Sequence, residues 1–398
     1  MNEARNMHPE EEKTGKPLVA MTALLLLSLS LGSLHSFSVL LPALEESMNT
    51  SRGMASMSYS LALVVLAATV LLGPRFYDAL PSSVLALITG ITASLGCLLA
   101  ALASDLLAVW LGYGLLFGAA NGLGYGFALQ FSAQLFPNKG GSAMGMITAV
   151  YATGALLSPP LFAHALSLGG WQSAQLVSAA LLLCTGLLAC LLLKESALSF
   201  AYAKEQGTTE ACRTPAGLRK IAFLWIAFGC AVTSGLMVMG HAVGLSASLG
   251  LAEEWFMAVP MLVAGSNLAG SFLCGILQDR LKGRCVPATL ALLNSVALII
   301  MIIVPDPLLT LAVLSFAGFV YGGTVTSYPA FLSREHNSRD SAAIFGKVFT
   351  AWAVAGFAGP ALAGFLFDMQ GNYTDALLFA ALLGFVSALA LNLPKESA

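Results

Sequence analysis

The feature that most restricts this chain is a series of twelve apolar stretches, each long enough to cross a bilayer. About 20 helical residues span the roughly 30 Å hydrocarbon layer. The stretches lie at about 18–43, 53–77, 81–103, 105–136, 141–166, 171–194, 218–248, 254–278, 285–304, 307–333, 341–367 and 373–393. Lipid offers no partner for a peptide N–H or C=O, so each stretch has to satisfy its backbone internally. No segment reads as strand, and the expected fold is an all-α polytopic membrane protein. Composition agrees, since 58% of the 398 residues are hydrophobic and 10% charged, against about 25% charged in soluble domains.

The charges carry direction. With both ends on one side, all but Arg52 of the 18 Lys and Arg residues fall toward that side. Basic residues favour the cytoplasm, so both termini are expected there, in a multi-pass protein of the plasma (cell inner) membrane. The polar start MNEARNMHPEEEKTGK has no small-residue cleavage site before the first apolar stretch and reads as a cytoplasmic tail over 1–17 rather than a signal. Net charge is −2 with no long basic or acidic block, which gives a nucleic-acid partner nothing to bind.

The longest polar interruption, KESALSFAYAKEQGTTEACRTPAGLRK, divides the chain near its middle. The two sides repeat one another at a shift of 201 residues, which sets Gly145 on Gly346, Tyr151 on Trp352, Pro159 on Pro360, Asp78 on Asp279 and Gly122 on Gly323. The expected organisation is a six-helix bundle at 18–194, a cytoplasmic linker at 195–217, a second bundle at 218–393 and a tail at 394–398. Repeated bundles of this kind hold a substrate near mid-membrane, at the interface of the repeats.

The stretch GSNLAGSFLCGILQDRLKGR, residues 265–284, ends the eighth span in Gly275, Asp279, Arg280 and Arg284. A glycine one turn before the aspartate admits a neighbouring helix. The carboxylate can cap that helix's N-terminus and pair with a cation, so the cluster is expected to gate one face; alternatively the cations are only positive-inside anchors. The matching GPRFYDALP keeps Asp78 but has Pro74 and Ala79 in place of the glycine and arginine.

This motif resembles the loop motif of the major facilitator superfamily, and twelve helices in two related halves extend the resemblance over nearly the whole chain. GSLHSFSVLLPAL, GLGYGFALQFSAQLFPNKGGSAMGMITA and FTAWAVAGFAGP are most similar to the oxalate/formate antiporter and monocarboxylate porter group. That resemblance implies a secondary transporter of a small organic acid, working by alternating access with a proton or by exchange. The group usually holds its anion with an arginine in helix 8 and, in oxalate-type members, a lysine in a helix 11 TAK context. Here those patterns read Asn267-x-x-x-Ser271 and Thr350-Ala351-Trp352. A neutral or amphipathic solute is therefore the alternative.

The polar and aromatic residues left inside the spans form the expected site. His35 and His241 sit in the first helix of each half and are proton-coupling candidates, unless each is satisfied by a backbone carbonyl. Asn121 and Tyr125 lie one turn apart among glycines, lining a cavity or tying helices. Tyr321, Asn267 and Ser271 are expected at the cavity, and Tyr151 and Trp352 as an aromatic pinch across it. Lys347 reads as a snorkelling cation or a substitute anion ligand, and Gln130 and Gln134 as structural or gate-lining rather than substrate-binding. Ser158-Pro159-Pro160 and Gly359-Pro360 are expected to break or bend helices 5 and 11. Asn49 and Asn372 fit the glycosylation acceptor pattern.

The seven cysteines show no paired or metal-like spacing. No span carries a catalytic cluster, and neither an enzyme nor a cofactor or metal is expected. A non-transporting receptor or scaffold is the remaining different class. The partners expected are a small-molecule substrate and the bilayer, with the protein a monomer.

Overall fold

The computed structural model describes residues 15–200, 218–248, 250–252, 255, 258–281, 283–336 and 338–392. Most of the expected linker and of the N-terminal tail, the C-terminal tail, Lys282 and Cys212 lie outside the described residues. Among the described residues eleven helices are long and apolar enough to cross a membrane. One of them, Pro137–Ser196, is 60 residues long and holds two spans, because the backbone leaves helical geometry at Gly169 and Gly170. Gly170 turns with φ 62° and ψ −154°, a conformation open essentially to glycine. The described residues thus contain twelve spans in two halves of six, the all-α polytopic arrangement expected.

The first four spans are Pro17–Ser47, Met54–Ala79, Ser82–Ala101 and Leu106–Leu135, and the fifth and sixth share Pro137–Ser196. The seventh to twelfth are Leu218–Gly240, Ala258–Arg280, Cys285–Ile303, Pro307–Glu335, Asp340–Gln370 and Thr374–Asn392. Ala242–Ser248 continues the seventh after a break at His241.

Small residues set the packing, as they do where lipid supplies no hydrophobic drive between helices. In the first half, Gly118 and Gly122 of the fourth span sit on Ala62 and Leu66 of the second. In the second half, Gly318 and Gly322 of the tenth sit on Val263 and Asn267 of the eighth. An added Cβ at these glycines would overlap facing backbone, so the glycine clusters serve close helix contact. Pro159, Pro160 and Pro360 lie inside helices that continue through them, so the expected breaks at those positions are absent; the chain reverses at Gly169–Gly170, between the expected fifth and sixth stretches.

The halves meet along two seams, the fifth span against the eighth and the second against the eleventh. Gly275 lies against the Gly141 carbonyl and Gly145 against that of Ser271, while Gly346 lies against Val70 and Leu71. These contacts close the face that carries Arg334, Arg280 and Lys16, called here the basic face.

Candidate functional site

The first span is not one continuous α-helix. Pro17–Leu31 passes into a 3-10 turn at Gly32–Ser36 before α-helix resumes at Phe37–Ser47. Two contacts with the fifth span hold this turn. Gly32 rests on the Tyr151 carbonyl, closer than any Cβ allows, and the Ser36 hydroxyl donates to the Ala155 carbonyl at 2.9 Å. Ala155 lies four residues before Pro159, which has no N–H to return to it. The proline thus frees an acceptor that the serine satisfies, and the turn presents His35 to the centre.

Around His35 the two halves touch through aromatic rings. Its Nδ1 lies 2.8 Å from the Tyr59 hydroxyl. Tyr151 meets it edge-on at a centroid distance of 5.5 Å and Trp352 at 6.0 Å. Tyr151 and Trp352, equivalent in the repeat, therefore both pack on the imidazole. Trp352 stacks on Phe349 at 5.4 Å and its Nε1 donates to the Tyr321 hydroxyl at 2.7 Å. Tyr125 adjoins Tyr151 at 4.9 Å and Phe349 at 6.3 Å. The edge-to-face and offset geometries are those that ring quadrupoles favour.

Asn121 is fully buried and committed. It donates to the Leu31 carbonyl at 2.7 Å and accepts from the Tyr151 hydroxyl at 2.8 Å. It ties the first, fourth and fifth spans and orients Tyr151. In this conformation its amide belongs to the wall of the site.

The structure does not bring the other polar residues to this cluster. His241 lies at the break in the seventh span, with Nε2 2.9 Å from the Pro360 carbonyl and Nδ1 3.3 Å from the Tyr373 hydroxyl. It ties the seventh, eleventh and twelfth spans. Ser271 is fully buried in the seam, with Gly322 against its hydroxyl and Gly145 against its carbonyl. Asn267, one turn earlier, faces the same glycine. Lys347 opens on the outer surface between the seventh and eleventh spans.

At the basic face Asp279 receives the Gly141 amide at 2.8 Å, the Ser142 amide at 2.7 Å and the Ser142 hydroxyl. A carboxylate capping a helix N-terminus meets unsatisfied N–H groups and the positive dipole end together. Its cation is Arg334, which reaches Asp279 at 3.1 Å and the Gln278 carbonyl at 2.9 Å. Arg280 and Arg284, the other cations expected in the gating cluster, do not make this pair: Arg280 is exposed and Arg284 half-buried. Asp78 is exposed at the end of the second span.

Tyr59, Phe349 and Arg334 make contacts in these clusters that sequence reasoning passed over. A tyrosine hydroxyl within an apolar span needs a partner, and that signal was available for Tyr59. Among the described residues no group of three His, Cys, Asp or Glu is placed to hold a metal ion.

The model of the Major Facilitator Superfamily matches residues 20–360. The chain is 24% identical to the oxalate:formate antiporter of Oxalobacter formigenes, over 92% of this chain and 88% of that one. It is 27% identical to human monocarboxylate transporter 11, over 95% and 83% of the two. The E. coli fucose:proton symporter superposes with a TM-score of 0.73 at 16% identity, covering 96% of this chain and 100% of the other. That last likeness is one of fold.

Proposed function

The chain belongs to the major facilitator superfamily, and from that premise we propose that it carries a small organic acid, a monocarboxylate or related anion, across its membrane by alternating access. The observation that supports this most is His35, partnered by Tyr59 of its own half and packed on Trp352 of the other. Movement of the halves has to remake that contact. The site carries hydroxyl, indole and imidazole groups, in this conformation bonded to one another, that a carboxylate could engage as the halves move, and one titratable group, His35. Similarity to the oxalate:formate antiporter and to monocarboxylate transporters supports the same substrate class.

In this reading the carboxylate enters with a proton on His35 or in exchange for another anion. A charge without partner is costly at mid-membrane, and imidazolium with carboxylate is neutral as a pair. The Asp279 cap and the Gly141–Gly275 contact hold the basic face shut while the site loads. Release toward that face requires the fifth and eighth spans to part. We place the basic face in the cytoplasm of a plasma (cell inner) membrane and take the protein as a monomer.

One observation favours a second reading. The hydrogen-bond and ring partners of His35 among the described residues, Tyr59, Tyr151 and Trp352, are all uncharged, which suits a neutral or amphipathic solute equally. Thermal-shift measurements on purified protein against carboxylates, sugars, amino acids and aromatic solutes separate the two. A ligand that binds only the folded state raises its melting temperature. Shifts with carboxylates that vanish in His35→Ala support the organic-acid reading, and shifts confined to uncharged compounds overturn it.

A further inference from the structure

A groove of about 420 Å³ opens between the seventh and eleventh spans, away from the seams that join the halves. Its walls are Leu218, Ile221, Ala222, Trp225 and Ile226 of the seventh span, and Lys347 of the eleventh is its one charged lining residue. Leu218 is 86% and Ile226 42% exposed, so the groove faces outward, where the medium around a membrane span is lipid. The floor has no polar group to spare, because Trp225 Nε1 donates to Thr350 Oγ1 at 2.9 Å.

Lys347 is exposed and has no ion-pair or hydrogen-bond partner for its ammonium among the described residues. It lies seven residues into the eleventh span, which begins at Asp340, and at 1.5 Å per residue that is about 10 Å from the helix start. A lysine at such depth lays its stem along apolar surface and turns its charge toward the interface. An ammonium in that position calls for an anion, and the apolar trough beside it calls for a hydrocarbon chain. The bilayer supplies one class of molecule with both.

We propose that the groove between the seventh and eleventh spans binds one anionic glycerophospholipid, an acyl chain lying along Leu218, Ala222 and Ile226 and the phosphate meeting Lys347. A lipid so placed bridges the seventh span to the eleventh, which carries Trp352 of the central cluster and Gly346 of the seam with the second span. Occupancy would brace the half that moves, without touching the substrate site.

Native mass spectrometry of the delipidated full-length protein, titrated separately with phosphatidylglycerol and phosphatidylcholine, tests this. The expected result is one retained phosphatidylglycerol, preferred over phosphatidylcholine by tenfold or more. Lys347→Gln abolishes that preference, Lys347→Arg keeps it, and Ala222→Trp, which fills the trough, removes the bound lipid. Melting temperatures in lipid-free detergent establish that each variant is folded; should Ala222→Trp fail that check, the two lysine variants decide. Equal binding of the two lipids, or an unchanged preference in Lys347→Gln, overturns the proposal. So does sensitivity to Ala222→Trp without sensitivity to Lys347→Gln, which is the behaviour of a groove for any neutral lipid or detergent.

Discussion

His35 stands between the two halves of this molecule, its Nδ1 2.8 Å from the hydroxyl of Tyr59 in its own half and its ring 6.0 Å from that of Trp352 in the other. A proton gained or lost at this imidazole changes what Tyr59 can donate or accept and alters the surface on which Trp352 rests. His35→Gln keeps a polar side chain but cannot titrate. Uptake driven by a pH gradient is expected to fall tenfold or more, with exchange in the absence of a gradient falling less. Tyr59→Phe removes one neutral hydrogen bond, a net effect of about 1 kcal/mol, and should slow transport only a few-fold. Radiolabelled uptake in proteoliposomes checks both.

Asp279 joins the fifth, eighth and tenth spans at the basic face through charge-assisted hydrogen bonds and one ion pair, and on the proposed reading it holds that face shut. Each hydrogen bond to a charged group contributes about 1.5–3 kcal/mol, and about 1.4 kcal/mol is tenfold in a population. Asp279→Asn is expected to shift the balance toward opening on that face by roughly 10- to 100-fold. Spin-label distances between the fifth and eighth spans should broaden to longer values. An unchanged distribution would show that the glycine seam alone closes the face.

That seam makes its own prediction. A Cβ on Gly275 would overlap the Gly141 carbonyl and reach 3.0 Å from the Gly145 Cα, and backbone cannot step aside as a side chain can. Gly275→Ala is expected to reduce turnover tenfold or more while the protein still inserts and binds ligand, as read by paired flux and thermal-shift assays. Gly265, whose added Cβ would meet nothing within 4 Å, is the matched control and should tolerate alanine.

The resemblance to anion porters with an arginine in helix 8 invites Ser271→Arg as a gain of carboxylate affinity, and the packing predicts otherwise. Ser271 is fully buried between Gly145 and Gly322, with no room for a guanidinium and no hydrogen-bond partner for its hydroxyl among the described residues. An unpaired buried charge costs several kcal/mol, on the order of 3–5. The variant should melt lower and show no new carboxylate uptake.

At the edge of the basic face, burial and the neighbouring Lys220 push the pKa of His336 below its ordinary 6.5. Lys220 Nζ lies 3.1 Å from His336 Nε2, which can accept from it only when unprotonated. Glu335 and Asp340 act in the opposite sense, and Arg284 in the same. The sign follows from linkage. Above 6.5 the histidine is neutral folded or unfolded and has no effect; as pH falls below 6.5 the unfolded chain takes up the proton first and the fold loses stability. The melting temperature of the parent should drop more between pH 7 and 5.5 than that of His336→Gln.

How much of this could be read in the sequence depended on whether the cause was local. The spans follow from hydropathy alone, and the Asp279 cap was legible because Gly275 and Asp279 lie one turn apart on the same helix. Arg334 was not, since it lies 55 residues from Asp279 and only the packing of the eighth on the tenth span unites them. The repeat paired Tyr151 with Trp352, but the tightened turn at Gly32–Ser36 that sets His35 between them depends on Ser36 answering the Ala155 carbonyl freed by Pro159. His241 carried the same sequence signal as His35. The break beside Gly240 turns it to Pro360 and Tyr373 instead, a distinction of register that composition does not hold.

The most direct measurement of the central claim is flux of a labelled monocarboxylate into proteoliposomes, with and without an imposed pH gradient, for the parent and for His35→Gln. The account predicts saturable uptake by the parent, accelerated by the gradient, and loss of that acceleration in the variant. Uptake confined to uncharged solutes, or carboxylate uptake that His35→Gln leaves untouched, would contradict it.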